Sequence, residues 1–178
     1  PELVLIKINL SRVFFKLDQK KSCKEKLKEI LILDKKNHYA VNFLSSIYFD
    51  EKKYSKVINI LSKVIDIFEN DVSLLKKLAI SYFSLADFLN SKVLFEKLIK
   101  IQPDLHSHYL DLGVSFYYLK NFNLALVNFA KAISIKYDHK SMLNFNKVIK
   151  DEKIKYDDFP NEIDVYNSNL RDSVSLKF

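Results

Sequence analysis

The chain contains a single glycine, Gly113, and the sequence around it defines a repeat that organises the rest. Apolar residues recur at helical spacing on both sides of a polar break at Lys120 and Asn121, which predicts two helices joined by a tight turn. The same pattern returns three times when the sequence is moved back in steps of 34 residues. The chain is therefore expected to be a tandem array of helical hairpins.

Four units follow one another in this frame without a gap. They span residues 4–37, 38–71, 72–105 and 106–139, within a repeat region of residues 1–139. Beyond Tyr137 the helical spacing continues one residue early, which predicts a polar-faced capping helix over residues 140–155. The pattern then stops, so residues 156–178 are expected to be a non-repeat tail.

Two columns of small or compact residues appear when the units are aligned. The slot of the glycine holds only small side chains, and a leucine precedes it in every unit: Ser11, Ser45, Ala79 and Gly113, after Leu10, Leu44, Leu78 and Leu112. The second helix carries the other column: Cys23, Val57, Ser91 and Ala125. Small residues at these slots would let the two helices of a hairpin approach closely.

These columns resemble the tetratricopeptide repeat, whose pattern has the same length and the same order of residue types. The fourth unit matches in seven slots: Tyr109, Leu112, Gly113, Phe116, Ala125, Phe129 and Ala132. Tyr137 replaces its closing proline, and Lys7 and Lys20 replace two aromatics of the first unit. The resemblance implies an all-α fold: a right-handed α-α superhelix of four tandem helix-turn-helix repeats with a C-terminal capping helix.

Composition agrees with a helical chain and argues against several functions. With 178 residues, 48% hydrophobic and only three prolines, the chain can bury a core but lacks the breakers that hairpin-rich sheets need. Its net charge of +7 comes from lysines spread over every helix among acidic residues, so nucleic acid is not the expected partner. No run is long enough for a membrane span. A basic module binding anions such as nucleic acid stays as the alternative function.

The sequence carries no constellation that would support catalysis, a metal or a cofactor. The histidines lie at unit boundaries without a Cys or carboxylate at ligand spacing: His38, His106, His108 and His139. Cys23 occupies a packing slot, and one glycine cannot form a phosphate-binding loop. The chain is predicted not to be an enzyme, although it could be the interaction domain of a larger one.

A face of each first helix beside the packing residues is predicted to line the inside of the superhelix, and we call it the inner stripe. It is unusually apolar and includes one aromatic per unit, which suits a peptide or helical segment of a partner protein. The predicted groove residues are Arg12, Phe15, Asn42, Phe49, Lys76, Ile80, Phe83, Leu110, Val114 and Tyr117. The aromatics could equally be half-buried between neighbouring helices. Ile80, Leu110 and Val114 have no evident packing reason to be apolar.

The resemblance also bears on partners and on location. Some tetratricopeptide proteins clamp the C-terminal carboxylate of chaperones with Lys, Asn and Arg, but this chain does not carry that set in either possible phase. The predicted function is thus a non-catalytic scaffold. The cytoplasm is favoured as the compartment. The position of Pro1 in the repeat frame suggests a piece of a longer array, and an extracytoplasmic location stays open because that position indicates a truncated N-terminus. The acidic tail could dock on the chain itself through Phe159, Ile163 and Tyr166.

Overall fold

The structure is a computed structural model that describes residues 2–153, and those residues form only helices and turns. The helices are α1 (Glu2–Lys16), α2 (Lys20–Leu33), α3 (His38–Asp50), α4 (Tyr54–Leu61), α5 (Val72–Ser84), α6 (Phe88–Ile101), α7 (His106–Tyr118), α8 (Phe122–Ile135) and α9 (His139–Glu152). The all-helical fold predicted from the sequence is confirmed. The proposed docking of Phe159, Ile163 and Tyr166 lies outside the described residues.

The chain divides after Leu85 into two compact units. In the first unit, α1 packs on α2 and α3 packs on α4, while α3 also contacts α2 and α5 contacts α4. Each hairpin therefore buries apolar side chains both within itself and against its neighbour. Fully buried members of this core include Leu27, Leu44, Leu61 and Leu75.

The second unit is built around the hairpin of α7 and α8. Helix α6 packs against α7, and α9 lies against α8 with further contacts to α7. Phe95, Phe129 and Phe145 are its largest fully buried side chains, and they come from α6, α8 and α9. Helix α9 therefore takes the place that a first helix of another repeat would have, as a capping helix requires.

The two columns of small residues are buried throughout the described repeats. Ser11, Ser45 and Ala79 have no exposed surface, and Gly113 is also buried. Cys23, Val57, Ser91 and Ala125 in the other column are fully buried as well, which confirms the packing interpretation of Cys23. Burial also raises the pKa of the Cys23 thiol, and the nearby charge of Lys24 opposes this effect. The thiol is therefore a poor nucleophile at neutral pH.

The turn between the two helices of each hairpin has one residue in the left-handed region. These residues recur at the repeat interval, with φ of 55° at Asp18, 56° at Lys52, 61° at Ala86 and 63° at Lys120. A fifth such residue, Lys153, ends α9 with φ of 51°. A left-handed residue lets the chain reverse at the end of a helix, which is how four unlike residues make the same turn.

Polar residues cap the beginnings of most later helices. Asn37, Asp71, Asp87, Asn121 and Asp138 each accept a hydrogen bond through the side chain from a backbone N–H in the first turn of the following helix. Each of these bonds satisfies a donor that the helix cannot pair internally. The capped helices therefore begin at fixed positions.

Helix α4 is shorter than the sequence pattern suggests. The apolar spacing continues through Val64 and Ile65, yet the α-helix ends at Leu61 and residues 62–70 form successive turns. Several backbone hydrogen bonds there join residues only three apart, such as the one that the Val64 N–H donates to the Leu61 carbonyl oxygen at 3.0 Å. Three β-branched residues fall close together in this stretch and weaken the helix. Val64 nevertheless stays buried, so its side chain still faces the core as the apolar spacing predicts.

Candidate protein-interaction surface

An open pocket of about 430 Å³ lies between α1 and α3 in the first unit. Helix α1 contributes residues from little more than one turn, and α3 contributes residues from about two turns. The lining residues are Arg12, Val13, Phe15, Lys16, Tyr39, Asn42, Phe43 and Ser46. Three residues predicted for the inner stripe, Arg12, Phe15 and Asn42, are therefore brought together at one site.

The aromatic rings of the pocket contact one another edge to face. The centroids of Phe15 and Phe43 are 4.9 Å apart with an angle of 69° between the rings, and those of Tyr39 and Phe43 are 5.6 Å apart at 66°. Such pairs are favourable because the positive edge of one ring meets the negative face of the other. Phe15 remains 44% exposed, so its ring offers apolar surface to a bound molecule.

The charged residues that line this pocket are both cations. The guanidinium carbon of Arg12 lies 5.1 Å from the ring centroid of Tyr39, within range of a cation–π contact. The Tyr39 hydroxyl is in turn 3.4 Å from the hydroxyl of Ser11. Lys16 stands exposed in the last turn of α1. Aromatic surface beside two positive charges favours a ligand that combines an apolar group with an anionic one.

Asn42 is held in place by a lysine from α5. Lys77 donates from Nζ to the Asn42 Oδ1 at 2.5 Å and to the Ser73 hydroxyl at 3.1 Å. Burial lowers the pKa of Lys77, while the charges of Asp71 and Asp50 oppose this effect. Because the Asn42 oxygen already accepts from Lys77, the amide NH₂ group is left to donate to a ligand.

The other predicted residues of the first unit do not line this pocket. Phe49 is half-buried, and its ring meets that of Tyr54 at a centroid distance of 5.8 Å. Lys76, Ile80 and Phe83 are half-buried on α5. Their positions on one helix agree with the expected spacing, but the pocket is formed by α1 and α3 alone.

In the second unit, the hydroxyl of Tyr117 donates to the Asp151 carboxylate of α9 at 3.1 Å. The Lys147 ammonium lies 5.2 Å from the same ring. Burial and the bond to Asp151 raise the pKa of Tyr117. Tyr117 of α7 thus contacts α9, just as Phe15 of α1 contacts Phe43 of α3. In both places an aromatic residue of the inner stripe contacts the first helix of the next repeat, a position that α9 takes after the fourth repeat.

Leu110 has a packing reason to be apolar, contrary to the expectation from the sequence. It is only 5% exposed, so burial explains its side chain and it does not present open surface. Val114, four residues later, is half-buried. Sequence periodicity does not predict this burial, because it cannot show how far a neighbouring segment covers a helix.

Besides Val13, Lys16, Tyr39 and Ser46, the predicted groove also lacks the pocket residue Phe43. Its slot holds Asn9, Lys77 and Asp111 in the other units, so an aromatic ring there departs from a polar column. That departure is the signal that could have identified it.

No protein-family model matches the sequence, and neither does any curated protein. Solved structures do resemble the fold. MamA superposes with a TM-score of 0.79 at 16% identity, covering 93% of this chain and 88% of that chain. A tetratricopeptide repeat protein from Parabacteroides merdae gives 0.75 at 16% identity, covering 96% and 68%. YrrB, a TPR protein with an unusual peptide-binding site, gives 0.66 at 19% identity, covering 77% and 71%.

At these identities the likeness establishes the fold rather than a shared activity. The helical hairpins, their common turn and these neighbours together define the class: the chain has the tetratricopeptide-repeat fold. The resemblance seen in the sequence is confirmed.

Proposed function

We propose that the protein is a non-catalytic interaction scaffold and that the pocket between α1 and α3 binds a peptide segment of a partner protein. The observation that carries the proposal is the pairing of exposed aromatic surface at Phe15 with the cations Arg12 and Lys16 in one pocket. A pocket of this kind binds a segment in which an apolar or aromatic side chain stands next to an acidic one.

The apolar side chain of such a peptide would pack against Phe15 and Phe43, which already contact each other edge to face. Rings that are already in contact lose little conformational freedom when they bind a ligand. The acidic group would meet Arg12 or Lys16, and the Asn42 amide would donate to the peptide backbone. Apolar contact would supply most of the affinity, and the charges would supply specificity.

The rest of the inner stripe extends this proposal. Lys76, Ile80 and Phe83 on α5 are proposed to contact a longer segment of the same partner, and Val114 and Tyr117 on α7 are proposed as partner contacts of the second unit. YrrB supports a peptide ligand for the fold, since it combines this repeat with a peptide-binding site.

The test uses synthetic peptides of defined composition with a fluorescent label and measures fluorescence polarisation. One set places a Phe or Leu beside Asp or Glu, and a matched set replaces the acidic residues with Lys. The acidic set should bind the unmodified protein more tightly than the basic set. Phe43→Ala should weaken the acidic set by about tenfold or more, as for a residue central to an interface.

Tyr137→Ala provides the matched control, because Tyr137 is an aromatic that is 65% exposed and does not line the pocket. Its affinity should stay within about twofold of the unmodified protein. Equal binding of the acidic and basic sets, or equal losses in the two variants, would show that the pocket is not the peptide site.

A further inference from the structure

A segment outside the described residues has the composition that the proposed peptide site favours. Residues 157–166 read DDFPNEIDVY, with four acidic side chains and no basic one. No stretch of ten residues among residues 1–153 holds four acids. We call residues 157–166 the acidic segment.

Apolar side chains of the acidic segment stand directly beside acids. Phe159 follows Asp158, and Ile163 precedes Asp164. This arrangement is the one expected of a ligand for exposed aromatic surface with cations nearby. Phe159 is the better match to the pocket, because the pocket wall is aromatic and two aromatic rings gain from their relative geometry as well as from burial.

The tail and the rest of the chain have opposite charge. Residues 154–178 carry five acidic and three basic side chains, although the whole chain has a formal net charge of +7. Residues 1–153 are therefore more basic than the chain as a whole. At the pocket itself, the described residues that line it include Arg12 and Lys16 but no acid. Both the overall charge and the local charge therefore attract the acidic segment.

We propose that the acidic segment is a ligand of the pocket between α1 and α3, an inference that rests on the proposed function of that pocket. The ring of Phe159 packs against Phe15 and Phe43, whose rings meet at a centroid distance of 4.9 Å. Phe15 supplies open surface for this contact, since it is 44% exposed. The chain thus carries a ligand for its own peptide site.

The two cations of the pocket are matched by the two acids before Phe159. Arg12 and Lys16 lie four residues apart on α1, so they stand one turn apart on the same side of the helix. Asp157 and Asp158 supply one carboxylate for each cation. Consecutive side chains of an extended segment point in different directions, and the long side chains of Arg and Lys can follow them.

Pro160 suits the acidic segment to this pocket in two ways. A residue before proline prefers extended backbone, so the sequence favours at Phe159 the conformation that a groove between helices accepts. Proline also has no backbone N–H, and so it brings no donor that would need a partner in the pocket. The carbonyl oxygens of the segment can accept from the Asn42 amide. Less conformational freedom is then lost on binding.

A ligand within the chain makes the pocket selective. A partner peptide has to displace the acidic segment, and a tethered competitor can act at an effective concentration on the order of millimolar. Weak peptides are therefore excluded, and a partner of better fit or higher concentration is accepted.

The first test measures fluorescence polarisation of a labelled synthetic peptide of residues 154–178. The receptor is the full chain with Phe159→Ala, so that its own segment competes weakly. Phe159→Ala in the peptide should weaken binding by about tenfold or more. Phe178→Ala is the matched control, because it removes the same side chain beside the basic Lys177, and it should stay within about twofold. In the receptor, Phe43→Ala should weaken binding of the unmodified peptide and Tyr137→Ala should not.

The second test compares full chains. Contact within one chain predicts that the Phe159→Ala protein binds the labelled peptide several-fold more tightly than the unmodified protein, because a tethered competitor has been weakened. Contact between chains predicts instead that the mass of the unmodified protein rises with concentration in sedimentation equilibrium and that the mass of the Phe159→Ala protein does not. A Phe178→Ala protein should match the unmodified protein in both measurements.

Equal losses for the Phe159→Ala and Phe178→Ala peptides would overturn the proposal. So would a full chain in which Phe159→Ala changes neither the affinity for the peptide nor the mass. The synthetic peptides of the proposed function separate this failure from a wider one. If the acidic set binds at the pocket and the tail peptide does not, only the inference about the acidic segment is wrong. If neither binds there, the pocket is not a peptide site and both proposals are wrong.

Discussion

The ring of Phe129 occupies the space that a side chain at Gly113 would need. A Cβ atom at position 113 would lie 2.6 Å from Cε1 and 2.7 Å from Cδ1 of that ring, and 3.2 Å from the carbonyl oxygen of Ala125. Phe129 is only 1% exposed and has little room to move. Helices α7 and α8 therefore approach until a ring on one touches the backbone of the other, and a Cβ at position 113 would require that ring to move.

Gly113→Ala should destabilise the second unit even though alanine is the better helix former. Overpacking a filled core costs about 1–3 kcal/mol, and the helix preference of Ala returns up to about 1 kcal/mol. The free energy of unfolding in urea should fall by about 1–2 kcal/mol.

Phe129→Leu in the Gly113→Ala background should recover part of that loss, because the first repeat pairs Ser11 with Leu27 in the same slots. The coupling between the two positions should then exceed about 0.5 kcal/mol. Additive losses, or an unchanged midpoint for Gly113→Ala, would contradict the close contact.

The small-residue columns were predictable from the sequence because packing between repeats recurs at a fixed interval. Ser45 or Ala79 alone says little, but four small residues in one slot indicate a shared close approach, and all four are buried. The partner ring was not predictable in the same way. The slot of Phe129 also holds leucines, so its size could not be tied to Gly113 before the helices were placed.

The hairpin turn at Ala86 stores a backbone strain that glycine would relieve. Its φ of 61° costs about 1 kcal/mol for a residue with a Cβ. Ala86→Gly should therefore stabilise the protein by about 0.5 kcal/mol, after allowance for the greater freedom of glycine in the unfolded chain.

Ala86→Val serves as the opposite test at the same position, because a β-branched residue is a poor fit to a positive φ. It should lower the melting temperature while Ala86→Gly raises it. Shifts of the same sign would show that the turn conformation does not control stability here.

The left-handed turn residues could not be recognised from the sequence. Asp18, Lys52, Ala86 and Lys120 share their position in the repeat and their conformation but no chemical property. Glycine or asparagine usually marks such a site, and neither is present. The conformation is imposed by the two packed helices, so it is a tertiary effect with no local signal.

Glu51 should make the first unit sensitive to acid. The hydrogen bond from Lys24, and then that from Lys53, lower the pKa of Glu51 to about 2 from an ordinary value of 4.5. A carboxylate with a lowered pKa in the folded state stabilises the fold above the unfolded pKa. That contribution is lost as the pH falls from about 4.5 to about 2.

Glu51→Gln should therefore reduce stability by about 0.5–1 kcal/mol at pH 7, the size of a partly exposed ion pair. The difference from the unmodified protein should disappear near pH 2. Glu25→Gln on the exposed side of α2 is the control. Urea unfolding at several pH values gives the comparison, and a constant difference from pH 7 to pH 2 would refute the assigned ion pair.

The candidate site was predictable only in part. Periodicity placed Arg12, Phe15 and Asn42 on the correct faces, and they share one pocket. It also selected Leu110, which is buried, and omitted Phe43, which forms an aromatic wall. A repeat pattern predicts which way a side chain points, whereas its exposure depends on neighbouring side chains that differ between units.

The final prediction separates peptide binding from nucleic-acid binding by their response to salt. Several lysines are already paired with acids, as Lys24 is with Glu51 at 2.5 Å and Lys26 with Glu29 at 2.7 Å. The pocket offers a peptide only Arg12 and Lys16. The slope of log affinity against log salt for an acidic aromatic peptide should therefore correspond to about one or two charges, whereas a nucleic-acid interface typically releases several counterions.

Two variants make this test specific. Arg12→Gln together with Lys16→Gln should flatten the salt slope, because this double variant removes both charges of the pocket. Phe43→Ala should lower the affinity and leave the salt slope unchanged, because it removes only apolar contact. A single-stranded oligonucleotide measured in parallel should bind more weakly than the peptide at about 0.15 M salt. Tighter binding of the oligonucleotide, with a steep slope that the Arg12 and Lys16 changes reduce, would establish the anion-binding function in place of the peptide scaffold.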